Sequence, residues 1–400
     1  MTSSGFEDFA QALTRSAGRG QSPRQYAAAK RIAVLGAAPD GQMYAALALA
    51  GGAEVRLFSA YGAELAALRQ AGAITLRGEG PVGSFHVDQP RGPSIHTTAA
   101  LDEALEGAEL IVLSGPLHKQ RTYAQVLADQ LRPGQIVFLP QARSLGAVEV
   151  AWLLQCGGAP TDLALVEAGG APYWIAREGS ALLLTACPPV PLASLAPGRD
   201  DALAAVADLL PNGQGVPSCV HSGFDDASAT VELPALMIGG PAARDGAPQV
   251  QDGGVPLSEN ANFRALIGPA HEALIARLWA ERAQVAADFG VRDLPDTDTA
   301  IARVAGNARG PGARPVPDEA TAHELIRAGI VGSLIPLVSA AARAGRTVPA
   351  TLAMIELAQT LLRRDLAGAG RRLETIGVNA TEVSEARRQF AAILNGGGHG

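Results

Sequence analysis

Apolar and polar positions follow different patterns in the two halves of the chain. Between Arg31 and residue 197, short continuous apolar runs alternate with glycine turns and helical stretches. Such runs are typical of strands buried on both faces of a parallel sheet. From residue 198 to residue 395, apolar side chains recur at the three- and four-residue spacing of a helix that buries one face. The pattern predicts an α/β domain at residues 31–197 and an all-α domain at residues 198–395, after a flexible tail at residues 1–30.

The α/β pattern is clearest near its start, where a strand, a glycine turn, a helix and a second strand follow one another. This order is that of the dinucleotide-binding unit of a Rossmann-type parallel sheet, whose helix N-terminus holds a pyrophosphate. The Gly-x-Gly-x-x-Gly fingerprint is incomplete, because alanine replaces its middle glycine. An ordinary βαβ unit that binds no nucleotide fits the same pattern. The residues predicted to bind a cofactor here are Gly36, Ala37, Ala38, Asp40 and Gly41.

Later segments continue both patterns. Strands are predicted at residues 108–114, 133–140 and 163–168, with a hairpin at residues 174–185 and small strands at 74–76 and 84–87. The proline-rich segment 188–200 predicts a linker, and segment 293–318, rich in Pro, Gly, Asp and Arg, predicts an exposed loop. Helices of the second domain are predicted at residues 233–239, 270–289, 320–344, 349–366 and 382–394.

Composition narrows the range of partners. Hydrophobic residues make up 48% of the chain and the mean hydropathy is +0.13, as in a folded soluble protein. The formal net charge of −7, without a basic stripe, argues against nucleic acid. Three scattered cysteines without metal-ligand spacing indicate a reducing cytoplasm and no metal site. No apolar run approaches the roughly 18 residues of a membrane span. We expect a cytoplasmic monomer or homodimer that binds a small molecule.

Two loops are predicted at the carboxyl ends of strands, where open α/β sheets bind ligands. Pro116 and His118 follow the strand at residues 108–114 and are predicted to contact the cofactor. A histidine at such a loop–helix junction also serves as a local hydrogen-bonding group. Arg143 follows the next strand and is a candidate ligand for a substrate carboxylate or, equally, a surface charge.

The residues after the second strand bear on the choice of cofactor. An acidic side chain there grips the ribose 2′-hydroxyl of NAD. The segment Phe58-Ser-Ala-Tyr61 carries no carboxylate, and Ser59 offers a hydrogen bond to a 2′-phosphate. The segment therefore favours NADP over NAD.

The order of motifs from about Arg31 to Ala392 resembles that of the opine dehydrogenase family, the relatives of octopine and nopaline dehydrogenase. The resemblance rests on Leu110-Ile-Val-Leu-Ser-Gly-Pro-Leu-His118, on Glu167 with Pro172-Tyr173 and Arg177, on Ser333-Leu-Ile-Pro-Leu337, and on Gly370-Arg-Arg-Leu-Glu-Thr-Ile-Gly377. It implies reduction, by NADH or NADPH, of the imine formed from a 2-oxo acid and an amino group. Arg177, Arg282 and Arg327 are candidate clamps for the substrate carboxylates.

The chain departs from the family where a catalytic pair of histidine and acid is expected. In the family register the histidine falls on Glu232 and the acidic partner on Ala328-Gly329, while a neighbouring His323 persists. We hypothesise that Glu232, with a pKa raised by burial, replaces the histidine as proton donor, assisted by His323. Alternatively, Glu232 only places charge at a helix N-terminus. His221 is a rival proton donor.

Three functions fit these observations. The first is an NAD(P)-dependent oxidoreductase that transfers hydride to an imine or carbonyl of a small carboxylate-bearing substrate. The second is a carbonyl reductase of the ketopantoate type, which uses a lysine of the helical domain; here the lysines are Lys30 and Lys119, both outside that domain. The third is a diverged relative that binds a nucleotide without redox activity.

Overall fold

Twelve strands form two sheets in the computed structural model, which describes residues 29–196, 198–238 and 262–394. The strands are β1 (Arg31–Leu35), β2 (Glu54–Phe58), β3 (Ala73–Gly78), β4 (Gly83–His86), β5 (Ile95–Thr98), β6 (Leu110–Leu113), β7 (Ile136–Leu139), β8 (Ala164–Ala168), β9 (Tyr173–Glu178), β10 (Ala181–Ala186), β11 (Val190–Ser194) and β12 (Gly213–Gly215). The main sheet has eight strands in the order β12-β11-β8-β7-β6-β1-β2-β5. All its pairings are parallel except that of β11 with β8. The predicted Rossmann-type parallel sheet is confirmed.

The helices of this first part are α1 (Pro39–Ala50), α2 (Gly62–Ala71), α3 (Leu101–Leu105), α4 (Leu117–Leu127), α5 (Gly146–Cys156) and α6 (Asp200–Ala205). They cover the main sheet on both faces. In β1, Ala33 and Leu35 pack into one core with α4 and α5, whereas Ile32 and Val34 pack into a second core with α1. This two-sided burial explains why β1 is apolar at every position except Arg31.

A smaller sheet has four strands in the order β4-β3-β10-β9. It joins the two small strands predicted at residues 74–76 and 84–87 to the predicted hairpin, β9 and β10. The hairpin is therefore confirmed, and its long-range partner is β3, which runs parallel to β10.

The described part of the second half is helical. Its helices are α7 (Cys219–Phe224), α8 (Ser228–Met237), α9 (Pro269–Asp288), α10 (Thr297–Ala305), α11 (Glu319–Gly329), α12 (Ile335–Arg343), α13 (Pro349–Leu362) and α14 (Val383–Leu394). Helices α8 to α13 enclose a third hydrophobic core. Glu281 of α9 is buried there, and it accepts hydrogen bonds from the N–H groups of Ala350 and Thr351 at the start of α13. The helical character predicted for the second part of the chain is confirmed, although strand β12 within residues 198–395 belongs to the main sheet.

Two sequence expectations were wrong. The segment predicted as a linker contains β11, which is fully buried in the main sheet. Pro191 is tolerated in this strand because its carbonyl accepts a hydrogen bond from the N–H of Gly169 and no N–H group is needed from the proline itself. The segment predicted as an exposed loop contains α10 and ends near Arg314, which is only 5% exposed. The main sheet also continues to Gly215, beyond the boundary predicted at residue 197. Residues 1–28 of the predicted tail lie outside the described residues.

Helices α11 and α12 form one continuous helix that is interrupted by a π-helical turn at Ile330–Leu334. Pro336 has no N–H group, so one carbonyl oxygen a turn before it lacks its helical partner, and the π-helical turn shifts the pairing of its neighbours. The N–H of Arg371 bonds the carbonyl of Val331 at 2.9 Å, and the N–H of Ser144 bonds the carbonyl of Gly332 at 3.0 Å. The bond from Ser144 attaches the interrupted helix to the first domain, whereas the bond from Arg371 lies within the second.

The same continuous helix, Glu319–Arg343, is long and apolar enough to cross a membrane, contrary to the expectation from the sequence. However, 67% of its most apolar window is buried inside the protein. It is the central helix of the third core, and its apolar composition follows from that position.

Glu167, at the end of β8, is a buried carboxyl group between the two domains. It accepts hydrogen bonds from the N–H of Ala147 at 2.8 Å and from the hydroxyl of Ser222 in α7. Burial raises the pKa of Glu167 to about 7, against the smaller lowering effects of these two donors and of Arg371. The folded protein therefore binds a proton here more tightly than the unfolded chain does.

This difference predicts a pH-dependent stability. As pH rises from the ordinary value of 4.5 to about 7, the free energy of unfolding should fall, because ionisation of Glu167 is disfavoured in the folded state. The slope contributed by one group is at most about 1.4 kcal/mol per pH unit. We expect Glu167→Gln to flatten the profile measured by urea denaturation. The exposed Glu178, paired with Arg77, supplies the control variant Glu178→Gln, and equal profiles for the two variants would contradict the prediction.

Candidate functional site

The strand order reverses between β1 and β6, and the loops that follow these two strands define the first part of the site. β2 lies on one side of β1, while β6 and β7 continue on the other. Open α/β sheets bind ligands at such a switch point. Ser114 joins the two loops, since its buried hydroxyl donates to the carbonyl of Leu35 at 2.8 Å.

The glycine turn after β1 has no room for larger residues. Gly36 has φ +114°, and a Cβ added to it would lie 2.7 Å from the hydroxyl oxygen of Ser114. A Cβ on Gly41 would lie 1.8 Å from the carbonyl oxygen of Gly36. By contrast, Ala38 has φ −65° and caps α1 without a side-chain acceptor. The missing middle glycine thus leaves the turn intact, and the close packing fits a dinucleotide cradle.

Asp40 bridges the crevice at the switch point. Its carboxylate accepts a hydrogen bond of 2.6 Å from the N–H of Gly115, in the loop after β6. Burial raises the pKa of Asp40, opposed by the N–H groups of Gly115, Gly41 and Asp40 itself and by the charge of Lys119. Lys119 lies in the first turn of α4, with its ammonium 4.7 Å from the ring centre of Tyr61.

Ser59, at the end of β2, is buried and donates a hydrogen bond of 2.6 Å to the carboxylate of Glu64. Glu64 lies in the first turn of α2 and reaches back to the strand end. The sequence argument for NADP rested on the absence of a carboxylate immediately after β2. A carboxylate is nevertheless present there in space, which removes the reason to prefer NADP.

The loop after β7 has an unusual backbone. Gln141, Arg143 and Leu145 have φ values of +53°, +59° and +63°, a region that residues other than glycine rarely adopt. Arg371, 1% exposed, holds this loop: its guanidinium donates to the carbonyls of Ala142 at 3.2 Å and of Ser144, and to Glu149 at 2.8 Å. Strained conformations of this kind concentrate at functional sites, where the surrounding structure enforces them.

Arg143 projects from this loop into a buried ion-pair triad. Its guanidinium contacts one carboxylate oxygen of Glu232 at 3.2 Å, and Arg314 contacts the other at 2.9 Å. Burial acts to lower the pKa of Arg143, but the charges of Glu232 and Asp226 outweigh it and the pKa is raised. Both oxygens of Glu232 are thus engaged by guanidinium groups, an arrangement that favours an anchoring role over proton donation.

Arg282 extends the charged cluster beneath the loop. It is 1% exposed and donates to the hydroxyls of Ser333 at 2.7 Å and Ser144 at 3.2 Å. Ser144 in turn donates to Asp226 at 3.1 Å. Burial acts to raise the pKa of Asp226, yet the charges of Arg143 and Arg282 outweigh it and the pKa is lowered. In this cluster of described residues, the guanidinium groups of Arg143, Arg282 and Arg314 face the carboxylates of Glu232 and Asp226. The adjoining Asp225 also acts on Arg282 and pairs with Arg303 at 2.8 Å.

The three histidines predicted to take part in the site, His118, His323 and His221, lie in different parts of the structure. His118 is exposed at the start of α4, beside Pro116, and its pKa is lowered by partial burial and then by the charge of Arg327 in α11. His323 is half-buried one turn before Arg327 on the same helix. Nε2 of His221 donates to the carboxylate of Asp293 at 3.0 Å, and its Nδ1 is buried without a partner. His118 and the Arg327 turn therefore face one another across the domain boundary.

Arg177 lies on β9 with its side chain exposed, three residues after Trp174. Trp174 projects from the opposite face of the strand and lies over Arg314, whose guanidinium carbon is 5.6 Å from the ring centre. The sequence pattern drew attention to Arg177 but missed Arg314, Glu64 and Lys119. Nothing in the local sequence marks Arg314 as a buried residue of the site, because the segment around it has the composition of an exposed loop.

No family model matches the sequence, and no curated protein matches it. The fold is similar to that of octopine dehydrogenase solved with NADH and pyruvate, with a TM-score of 0.67 at 16% identity, over 92% of this chain and 99% of that one. It is also similar to yersinopine dehydrogenase with NADP+ bound, with a TM-score of 0.59 at 14% identity, over 91% and 97% of the two chains. D-mandelate dehydrogenase with NADH gives a TM-score of 0.58 at 15% identity, over 84% and 100%.

These similarities span both domains. The chain has the two-domain fold seen in dehydrogenases whose solved structures contain a nicotinamide dinucleotide. More particularly, it has the opine dehydrogenase fold, as the order of motifs in the sequence predicted.

The buried ion-pair triad predicts that replacing Glu232 with an uncharged residue of the same size strongly lowers the free energy of unfolding. Glu232→Gln leaves two guanidinium groups buried, at 7% and 5% exposure, without their counter-ion. Removing one partner of a buried ion pair destabilises a protein by about 3 kcal/mol or more. We expect a loss of this size in urea denaturation, against less than about 1 kcal/mol for Glu106→Gln. Glu106 is the matched control because it pairs with Arg56 at the surface. Equal losses for the two variants would refute the anchoring role.

Proposed function

We propose that this protein is an NAD(P)H-dependent oxidoreductase that reduces an imine or carbonyl of a small, carboxylate-bearing substrate. The observation that carries the proposal is the glycine cradle at the switch point, where Gly36 and Gly41 pack too closely for any side chain. The similarity of fold to dehydrogenases solved with NADH or NADP+ supports it.

The residues proposed to hold the dinucleotide follow the switch point. Gly36, Ala37, Ala38 and Gly41 form the turn, and the N–H groups of Gly41 and Gly115 and the ammonium of Lys119 favour phosphate. Ser59 and Glu64 border the adenosine end, and Pro116 and His118 the nicotinamide end. A bound reduced nicotinamide supplies the hydride.

The charged cluster is proposed to bind the substrate carboxylate. With the adjoining Arg303–Asp225 pair included, four guanidinium groups against three carboxylates leave an excess of one positive charge in a largely buried region. An anion of the substrate would balance that charge, and guanidinium groups bind carboxylates in a bidentate manner. Arg143 is the proposed contact, because it comes from the strained loop at the carboxyl end of the sheet. Arg177, exposed on β9, remains a second candidate.

A histidine is the proposed proton donor. Glu232 anchors Arg143 and Arg314, so its role in catalysis is to orient the carboxylate ligand. His323 lies on the helix that faces the start of α4, beside the turn of Arg327, and is the first candidate to protonate the substrate nitrogen or oxygen. His221, held by Asp293, is the second.

The experiment begins with fluorescence titration of the protein with NADH and NADPH. Oxidation of the bound cofactor is then followed at saturation with a panel of 2-oxo acids, each with and without amino acids or amines. Turnover with an amine present indicates imine reduction, and turnover without it indicates carbonyl reduction. Binding without any oxidation would identify a nucleotide-binding protein without redox activity, and absence of binding would refute the proposal.

The substrate site is tested with Arg143→Lys and Arg143→Gln. Because lysine cannot reproduce a bidentate contact, we expect both variants to raise KM for the carboxylate substrate by about tenfold or more, with unchanged cofactor affinity. Arg77→Gln is the control, since Arg77 lies on the small sheet at the surface. An unchanged KM would remove Arg143 from the site, and His323→Ala is expected to lower kcat with little change in KM.

The position of Glu64 predicts a preference for NADH. A carboxylate beside Ser59 accepts a hydrogen bond from a ribose hydroxyl and repels a 2′-phosphate. Glu64→Gln is expected to improve NADPH affinity by about tenfold while leaving NADH affinity within about threefold. Fluorescence titration of both variants checks this, with Glu103→Gln on α3 as a control. A wild-type protein that binds NADPH more tightly than NADH would contradict the prediction.

A further inference from the structure

Asp40 is in an unexpected place for a protein that binds a phosphate. It is the second residue of α1, in the first turn of the helix whose N-terminus forms the cradle. Its carboxylate accepts the N–H of Gly115 at 2.6 Å, and the N–H groups of Gly41 and Asp40 lie close enough to lower its pKa. These are the donors that a dinucleotide phosphate needs at a switch point.

We propose that the Asp40 carboxylate acts as an internal anion in the phosphate cradle, so that dinucleotide binding requires it to be neutralised by a proton. The inference rests on the proposed function, because it concerns how the same cradle takes its cofactor. The Asp40 carboxylate occupies the N–H of Gly115, a donor of the cradle, at 2.6 Å. A dinucleotide phosphate, negatively charged at every pH near neutrality, meets a carboxylate at the same donors.

The surroundings of Asp40 make protonation the easier route. Burial raises its pKa, so the charged form is already disfavoured in the folded protein. The titratable groups that face it are Lys119 and Tyr123 from α4 and Tyr44 from α1, one turn further along its own helix. Burial raises the pKa of both tyrosines, and the ammonium of Lys119 favours the ionised form of Asp40 until a phosphate arrives.

Lys119 links the two states. Its ammonium lies over Tyr61 and contributes positive charge to Asp40 without a direct ion pair in the structure. When a phosphate enters and Asp40 takes up a proton, the ammonium becomes the counter-ion of the phosphate. The total charge of the cradle then changes less than it would if carboxylate and phosphate were both ionised.

Helix α1 does not require an acidic residue at position 40. Ala38 is the N-cap, and Pro39 begins α1 without an N–H group to satisfy. An acidic residue in the first turn gives α1 only a modest dipole stabilisation, about 0.3–1 kcal/mol. Exchange of the carboxyl for a carboxamide therefore removes the charge while leaving the size of the side chain and the fold unchanged.

The test measures NADH affinity by isothermal titration calorimetry between about pH 5.5 and about pH 8.5, for the wild type, Asp40→Asn and Asp102→Asn. For the wild type, affinity should fall by up to about tenfold per pH unit at the alkaline end, as expected for the uptake of one proton. Asp40→Asn should bind NADH about tenfold more tightly at the alkaline end and lose this pH dependence. Asp102→Asn, in the first turn of α3, should behave as the wild type.

Two further measurements distinguish failure of this inference from failure of the proposed function. Titrations in buffers of different ionisation enthalpy count the protons taken up, and we expect about one for the wild type and none for Asp40→Asn. Asp40→Ala, which removes the acceptor altogether, should also bind at least as tightly as the wild type. Weaker or unchanged binding by both Asp40 variants would overturn the inference while leaving the proposed function intact. Absence of NADH binding by the wild type and the Asp102 control at every pH would refute the proposed function itself.

Discussion

The guanidinium group of Arg371 is the contact on which the geometry of the candidate site depends. It comes from the last quarter of the chain and lies buried against Glu149 at the start of α5 and against two carbonyls of the loop after β7. Three residues of that loop lie in the left-handed region, which costs about 1–3 kcal/mol for each. Arg371 and the bond from Ser144 to Gly332 stabilise that backbone, and the backbone in turn directs Arg143 towards Glu232. The positively charged part of the site is therefore assembled from three distant parts of the sequence.

Charge is balanced differently at the two ends of the site. At the glycine turn proposed to hold the cofactor, a carboxylate occupies the helix N-terminus and a single lysine stands beside it. In the cluster proposed to bind the substrate, guanidinium groups outnumber carboxylates and are fixed by hydrogen bonds to buried serine residues. A chain with few aromatic residues, 4% of its composition, depends on such polar contacts to define positions between its domains.

The sequence could predict those features that depend on neighbouring residues. Helix α2 at Gly62–Ala71 ends where Gly72 adopts φ +69°, and the β1–α1–β2 unit follows from apolar runs and glycine positions. Features that depend on distant residues were missed. Glu232 meets Arg143 and Arg314 across 89 and 82 residues of sequence, so neither its partners nor its anchoring role appears in any local pattern. Likewise, the sequence around Pro191 has the composition of a linker, and only the pairing of β11 with β8 places this residue in a sheet.

Pro336 has a consequence for how the two domains can move. At the π-helical turn before Pro336, which has no N–H group, the carbonyls of Val331 and Gly332 accept N–H groups from outside the helix, those of Arg371 and Ser144. If the domains separated at this helix, the carbonyl of Gly332 would lose the N–H of Ser144, its partner from the first domain. Separation of the domains at this helix is therefore opposed by the free energy of leaving one buried carbonyl group without a partner, about 1–3 kcal/mol.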